Sequence, residues 1–158
     1  MAQRPELDRV DRALLTALSG NARASGAALA AEVGVAESTV SLRLRRLQSL
    51  GTIRGYRVDV DLAALGVSLQ ALIAVRLVKH VRSEIDAFRN AVPHLPGVLG
   101  VFHMAGAEDY LLHVAARDAE ELREFVLAHL TGHPAVAHTE TNLIFEHAEG
   151  DGWHKLVG

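Results

Sequence analysis

The chain contains no cysteine. That excludes a disulfide scaffold, a thiolate metal site and a cysteine nucleophile, and it fits a cytosolic chain. Long apolar runs are also missing. The longest apolar-rich stretch, residues 69–78, falls well short of the roughly 20 residues that a membrane helix needs. The opening MAQRPELDRVDRALL has no apolar segment of the kind a secretory leader carries, so a cytoplasmic protein is expected. Catalytic signatures are absent too. There is no Gly-rich phosphate loop, no G-x-S-x-G elbow and no pair of carboxylates beside a base, so neither an enzyme nor a cofactor is expected. Nine histidines fall after Arg57. His129 and His133 have i, i+4 spacing, but Gly132 and Pro134 break the helix that would aim both rings together, and no metal site is expected. Histidines at an interface between copies would instead make assembly sensitive to pH.

What is present is an ordinary globular balance, 49% apolar and 22% charged, over 158 residues, enough for two small domains. The net charge of −3 hides an asymmetry. Residues 1–57 hold nine basic and five acidic side chains, a net +4; the remainder holds seven and fourteen, a net −7. A basic first third joined to an acidic remainder suggests two units, the first with a polyanion as its partner.

Residues 29–57, LAAEVGVAESTVSLRLRRLQSLGTIRGYR, organise the first unit. Ahead of them, Leu7, Val10, Leu14, Leu15 and Leu18 recur at helical spacing, with Glu6, Asp8 and Asp11 crowding the helix start. Ser25 suits the cap of a second helix over 26–33, with Leu29, Ala30 and Val33 inward. Gly34 supplies a sharp turn. A third helix over 36–50 follows, with Ala36 where a Ser or Thr cap is expected and with Glu37 or Ser38 as alternative caps. This is a helix-turn-helix arrangement behind a packing helix. At about 100° per residue, Val40, Leu44 and Leu47 share one face. Ser38, Ser41, Leu42 and Arg45 share the opposite one, beside Thr39. Those four suit base edges in a major groove, with Leu42 against a thymine methyl. Arg43, Arg46, Arg54 and Arg57 suit phosphates. Residues 52–60, TIRGYRVDV, read as an extended, wing-like segment.

The second unit has a different rhythm. Residues 68–78 read as a core strand. A helix from Ser83 carries Ile85, Phe88 and Val92 inward. A hairpin of strands 98–105 and 110–116 turns at Gly106-Ala107-Glu108-Asp109. Asp118 then caps a helix with Leu122, Phe125, Val126 and Leu130 inward, and the last strand covers 136–145. The expected fold class is α+β: an N-terminal (winged) helix-turn-helix domain at 1–57, a connector at 58–67, a β-α-β-β-α-β ferredoxin-like domain at 68–147, and a tail at 148–158. Trp153, the only tryptophan, is expected to dock on a neighbour or to be poorly ordered.

The motifs LDRVDRALLTAL, LAAEVGVAESTVSLRLRRLQSLGTIRGY and GAEDYLLHV resemble those of the Lrp/AsnC (feast/famine) transcriptional regulators over residues 7–146. In the middle block Gly34, Val40, Arg43, Arg46, Leu47, Gly51, Ile53, Gly55 and Tyr56 fall in register. Gly106, Asp109 and Tyr110 match the Gly-x-x-Asp-Tyr turn. Ala36, Gln48 and Glu140 depart from the usual Ser, Glu and basic residue. The resemblance implies a regulator of double-stranded DNA. It also implies a homodimer assembling further, often to an octamer, and a second (RAM) domain that binds an amino-acid effector near that turn. Met104, Gly106, Asp109, Tyr110, Thr139 and Thr141 are the effector residues so implied. Each also has a plainer reading. Gly106 permits a turn that a Cβ would strain, Asp109 accepts backbone N–H groups, Tyr110 belongs to the core, and the other three pack in the sheet. Two further functions stay open: an architectural DNA-binding protein with little ligand control, and a small-molecule-binding or enzymatic domain whose helix-turn-helix serves only assembly.

Overall fold

A computed structural model describes residues 6–78, 82–148, 150, 152 and 153. The chain divides into two compact units, Met1–Asp59 with Ala148–Gly158, and Val60–His147. The first unit contains α1 (Arg9–Gly20), α2 (Gly26–Val33) and α3 (Glu37–Ser49). Leu14, Leu29 and Val40, one from each helix, are almost fully buried together with the small Ala30. The turn between α2 and α3 depends on Gly34. Its φ of 75° lies in the left-handed region, which a side chain disfavours, and there its N–H closes onto Ala30 O at 2.9 Å.

Asp8 caps α1, and the cap is reciprocal. Asp8 Oδ1 accepts from Asp11 N at 2.9 Å, and Asp11 Oδ2 accepts from Asp8 N at 3.3 Å. Ser25 caps α2. By contrast α3 begins at Ala36 with no side-chain cap; neither Glu37 nor Ser38 takes over, because both already lie inside the helix. Ala36→Ser is therefore expected to stabilise the unit by about 1 kcal/mol, seen as a higher urea midpoint at unchanged slope.

Residues 52–60 differ from expectation. They are extended and pair with no strand among the described residues. Gly55 interrupts them at φ 152°, and Val58 stays exposed, so the β-formers find no partner edge. Trp153 is also better placed than expected. It lines a cleft of about 360 Å³ with Leu15 and Leu18 of α1 and with residues 52–57, so the tail meets its own helix-turn-helix unit.

The second unit runs β1 (Leu69–Leu77), α4 (Arg82–Ala91), β2 (Val98–His103), β3 (Tyr110–Ala116), α5 (Ala119–Val126) and β4 (Val136–Leu143). The four strands form one antiparallel sheet in the order β2-β3-β1-β4, the ferredoxin-like split pattern. Strand alternation buries one face: Ala71, Ile73, Val75 and Leu77 of β1 and Leu112 and Val114 of β3 meet Phe88, Leu122 and Phe125 from the helices. Among the described residues of this unit no helix packs on the opposite face. It holds a shallow apolar cavity of about 910 Å³ bordered by Leu72, Phe102, Met104, Leu111 and Phe145. The outer strands are shorter than expected, ending at His103 and Leu143, and Phe145 stands almost fully exposed beyond the sheet. No helix among the described residues is long and apolar enough to cross a membrane.

Candidate nucleic-acid interface

The outward face of α3 is small, polar and cationic. Ser38, Ser41, Leu42 and Arg45 are all exposed, and Thr39 is half-buried at the edge. Leu42 is 63% exposed, an apolar group held in water between two serines and an arginine. Arg45 Nε donates to Ser41 O at 3.2 Å, which steers the guanidinium along the helix and leaves its terminal nitrogens for another acceptor. Arg54 and Arg57 are exposed and line the cleft that holds Trp153.

Arg43 and Arg46 behave otherwise. The phosphate role expected of them meets intramolecular competition. Arg46 donates to Asp11 Oδ2 at 2.7 Å and to Glu6 O at 3.2 Å. Arg43 donates to Asp8 Oδ2 and, at 3.3 Å, to Asp11 Oδ1. Asp11 is completely buried, and a buried carboxylate must be paired to persist. Here it takes two guanidinium contacts and a backbone N–H. Three and four residues make neighbours on a helix, so the pair Arg43/Arg46 meets the pair Asp8/Asp11 across the α1–α3 contact. The backbone N–H of Asp11, and after it the Arg43 guanidinium, holds the Asp8 carboxyl below the usual carboxylate range. This clamp fixes α3 against α1 and so sets the angle at which the outward face is presented.

In the second unit the residues implied for an effector fall into two groups. Met104, Gly106, Asp109 and Tyr110 surround the β2–β3 turn. Thr139 and Thr141 lie on β4, beyond β1, opposite Val75 and Ile73. Across three strand spacings Met104 and β4 are about 14 Å apart, so one chain does not gather all six. Gly106 corrects an expectation. It has no left-handed φ, and a Cβ there would meet no atom within 4 Å. The turn is closed instead by Met104 N donating to Asp109 O at 2.9 Å. Tyr110 is buried, edge-on to Phe88 at 5.8 Å and stacked on His103 at 4.7 Å. Asp109 Oδ2 accepts from Leu77 N at 2.8 Å, a ladder group turned aside by the irregularity between Arg76 and Leu77. On the uncovered face His113 Nε2 contacts Gln70 Oε1 at 2.8 Å. Burial, and after it the nearby His147 ring, holds His113 below the usual histidine range.

Comparison with known proteins bears on both units. Residues 7–48 match the AsnC-type helix-turn-helix domain, and residues 70–152 match the Lrp/AsnC ligand binding domain. The chain is 48% identical over 145 residues to the HTH-type transcriptional regulator AldR of Mycolicibacterium smegmatis, covering 92% of this chain and 85% of that one. Among solved structures it is similar to that of MtbAldR, at 44% identity and a TM-score of 0.80, covering 94% of this chain and 98% of the other. It is also similar to the transcriptional regulator NMB0573 of Neisseria meningitidis, solved as a complex with L-Met, at 27% identity and a TM-score of 0.86, covering 96% and 99%. With a helix-turn-helix unit and a four-stranded second unit matched in order along nearly its whole length, the chain belongs to the Lrp/AsnC family of DNA-binding transcriptional regulators.

Proposed function

We propose that this regulator reads operator half-sites through α3, with Ser38, Ser41, Leu42 and Arg45 toward base edges and Thr39 at the margin. Arg54 and Arg57 hold phosphates, while Arg43 and Arg46 act through the clamp on α1. The observation that carries this division is the pairing of Arg43 and Arg46 with Asp8 and Asp11, whereas the terminal nitrogens of Arg45 have no partner among the described residues. Two copies join through the uncovered sheet face, where Phe102 is 56% and Phe145 99% exposed, an apolar surface larger than isolated exposed residues make. Dimers associate further, up to an octamer, so that several α3 copies act on one DNA and none needs high affinity alone. An amino acid binding the second unit shifts assembly or DNA binding through its differential affinity for the two states. The ligand binding domain matched there and the L-Met bound to the Neisseria relative support that class of effector. The protein acts in the cytoplasm on double-stranded DNA, and no enzymatic role is proposed.

Arg45→Ala tests the base-reading assignment. On a duplex selected by the protein from a random pool, binding is expected to weaken by about 1–3 kcal/mol, with loss of preference at one position. Affinity for scrambled DNA should change far less. Equal losses on both duplexes, read by fluorescence anisotropy at fixed salt, would remove Arg45 from base readout.

A further inference from the structure

The C-terminal tail meets the DNA-binding unit at the cleft beside the end of α1, which lies wholly within the unit formed by Met1–Asp59 and Ala148–Gly158. Leu15 and Leu18 line it together with residues 52–57 and Trp153. Its two cations, Arg54 and Arg57, are exposed. About half of the Trp153 surface also remains exposed, so the indole is seated rather than buried. Thr52 belongs to the same lining. Its Oγ1 is buried with no hydrogen-bond partner among the described residues, a cost that this arrangement carries. Gly152 turns the chain at φ 81° immediately before the indole, with Gly150 two positions earlier, which gives the tail a hinge. From Glu146 to Trp153 the sequence carries Glu146, Glu149 and Asp151 but no lysine or arginine.

From this arrangement we infer that the tail is an internal competitor of DNA. Seated by Trp153, it occupies the approach to Arg54 and Arg57, and a phosphate backbone reaches them only once the indole has left the cleft. An indole face attracts guanidinium groups, and so does a phosphate, through charge-assisted hydrogen bonds. The two occupants exclude each other by space and by charge, because a phosphate backbone repels a segment whose ionised groups are carboxylates. DNA therefore binds the fraction of molecules in which the cleft is open, and the apparent affinity falls by that fraction. A seat that covers only half of the indole and strands the Thr52 hydroxyl is shallow enough for DNA to empty. The toll is the same for every sequence, since it is levied at phosphate contacts and not at base edges. The inference rests on the phosphate roles of Arg54 and Arg57 above and adds to them a condition, the position of the tail.

The test measures the affinity of the full-length protein for selected and scrambled duplexes by fluorescence anisotropy at fixed salt. It compares wild type, Trp153→Ala and Trp153→Phe, each with and without the double change Arg54→Ala and Arg57→Ala. Trp153→Ala is expected to bind both duplexes about three- to tenfold more tightly, the reciprocal of a small open fraction. Trp153→Phe, which keeps a smaller ring for the cleft, should gain less. In chains lacking both arginines the gain from Trp153→Ala should vanish, because the tail then covers nothing that DNA uses. If Trp153→Ala binds DNA no more tightly than wild type, the tail is not a competitor, and weaker binding would make it a brace for residues 52–57 instead. The phosphate roles survive that result as long as loss of the two arginines costs affinity. If their loss costs nothing even beside Trp153→Ala, the phosphate reading falls and the inference falls with it.

Discussion

Asp11→Ala is expected to destabilise the helix-turn-helix unit by about 3 kcal/mol. Asp11 is fully buried, closes the reciprocal cap with Asp8, and receives Arg46 at 2.7 Å and Arg43 at 3.3 Å. Losing a cap costs about 1 kcal/mol, and losing hydrogen bonds to charged groups about 1.5–3. The sum falls at the low end of the range for broken buried ion pairs, about 3–5 kcal/mol. The two guanidinium groups keep some access to water, 29% and 42% of their side-chain surface, and rehydrate instead of standing alone in the interior. Chemical denaturation of the full chain reads the loss, and a change under about 1 kcal/mol would show the clamp to be ornamental. The milder Asp11→Asn keeps the volume and part of the cap while removing the charge. It should free Arg46 while Asp8 still holds Arg43, steepening the salt dependence of binding by about one phosphate equivalent while selectivity falls. The clamp also has a pH window. Because the folded Asp8 carboxyl titrates below its ordinary value, its contribution is present above about pH 4 and is lost as pH falls through the lower folded value.

Gly97→Ala should be nearly as damaging to the second unit. Gly97 has φ 81°, and a Cβ there would lie 2.6 Å from the backbone oxygen of Ala115. The same carbonyl partner region is held by Ala115 N donating to Gly97 O at 2.8 Å, so the two backbones cannot separate without opening the start of the β2–β3 pairing. A left-handed non-glycine costs about 1–2 kcal/mol, and the enforced shift brings the total to roughly 2–4 kcal/mol. Gly34→Ala separates the two contributions. Its φ is similarly positive, at 75°, but its Cβ would meet nothing within 4 Å, so only the backbone cost of about 1–2 kcal/mol is expected. Equal losses in the two variants would mean that the Ala115 carbonyl yields freely.

Much of the fold was legible because the signals were local. Helical spacing marked Leu14 and Val40 as buried, Asp8 and Ser25 announced helix starts, and alternation placed Ile73 and Val75 toward the core. What escaped depended on distant partners. The pairing of Arg43 and Arg46 is hidden because their carboxylates lie 32 to 35 positions away. A signal existed: Asp8/Asp11 and Arg43/Arg46 carry opposite charges at the same three-residue spacing on helices expected to pack. The β-formers after α3 suggest a wing, but they promise a strand only where an edge is free to receive them, and residues 52–60 find none among the described residues. Strand order, which puts β3 and β1 between Met104 and the pair Thr139 and Thr141, is not written locally either.

The seat of Trp153 beside Leu15, Leu18 and residues 52–57 has an optical consequence. The chain has one indole, so its near-ultraviolet emission is the voice of a single place, next to Arg54 and Arg57. An oligomer of identical chains multiplies the intensity without mixing the message, and any displacement of the tail from that cleft changes the emission colour of the whole protein at once.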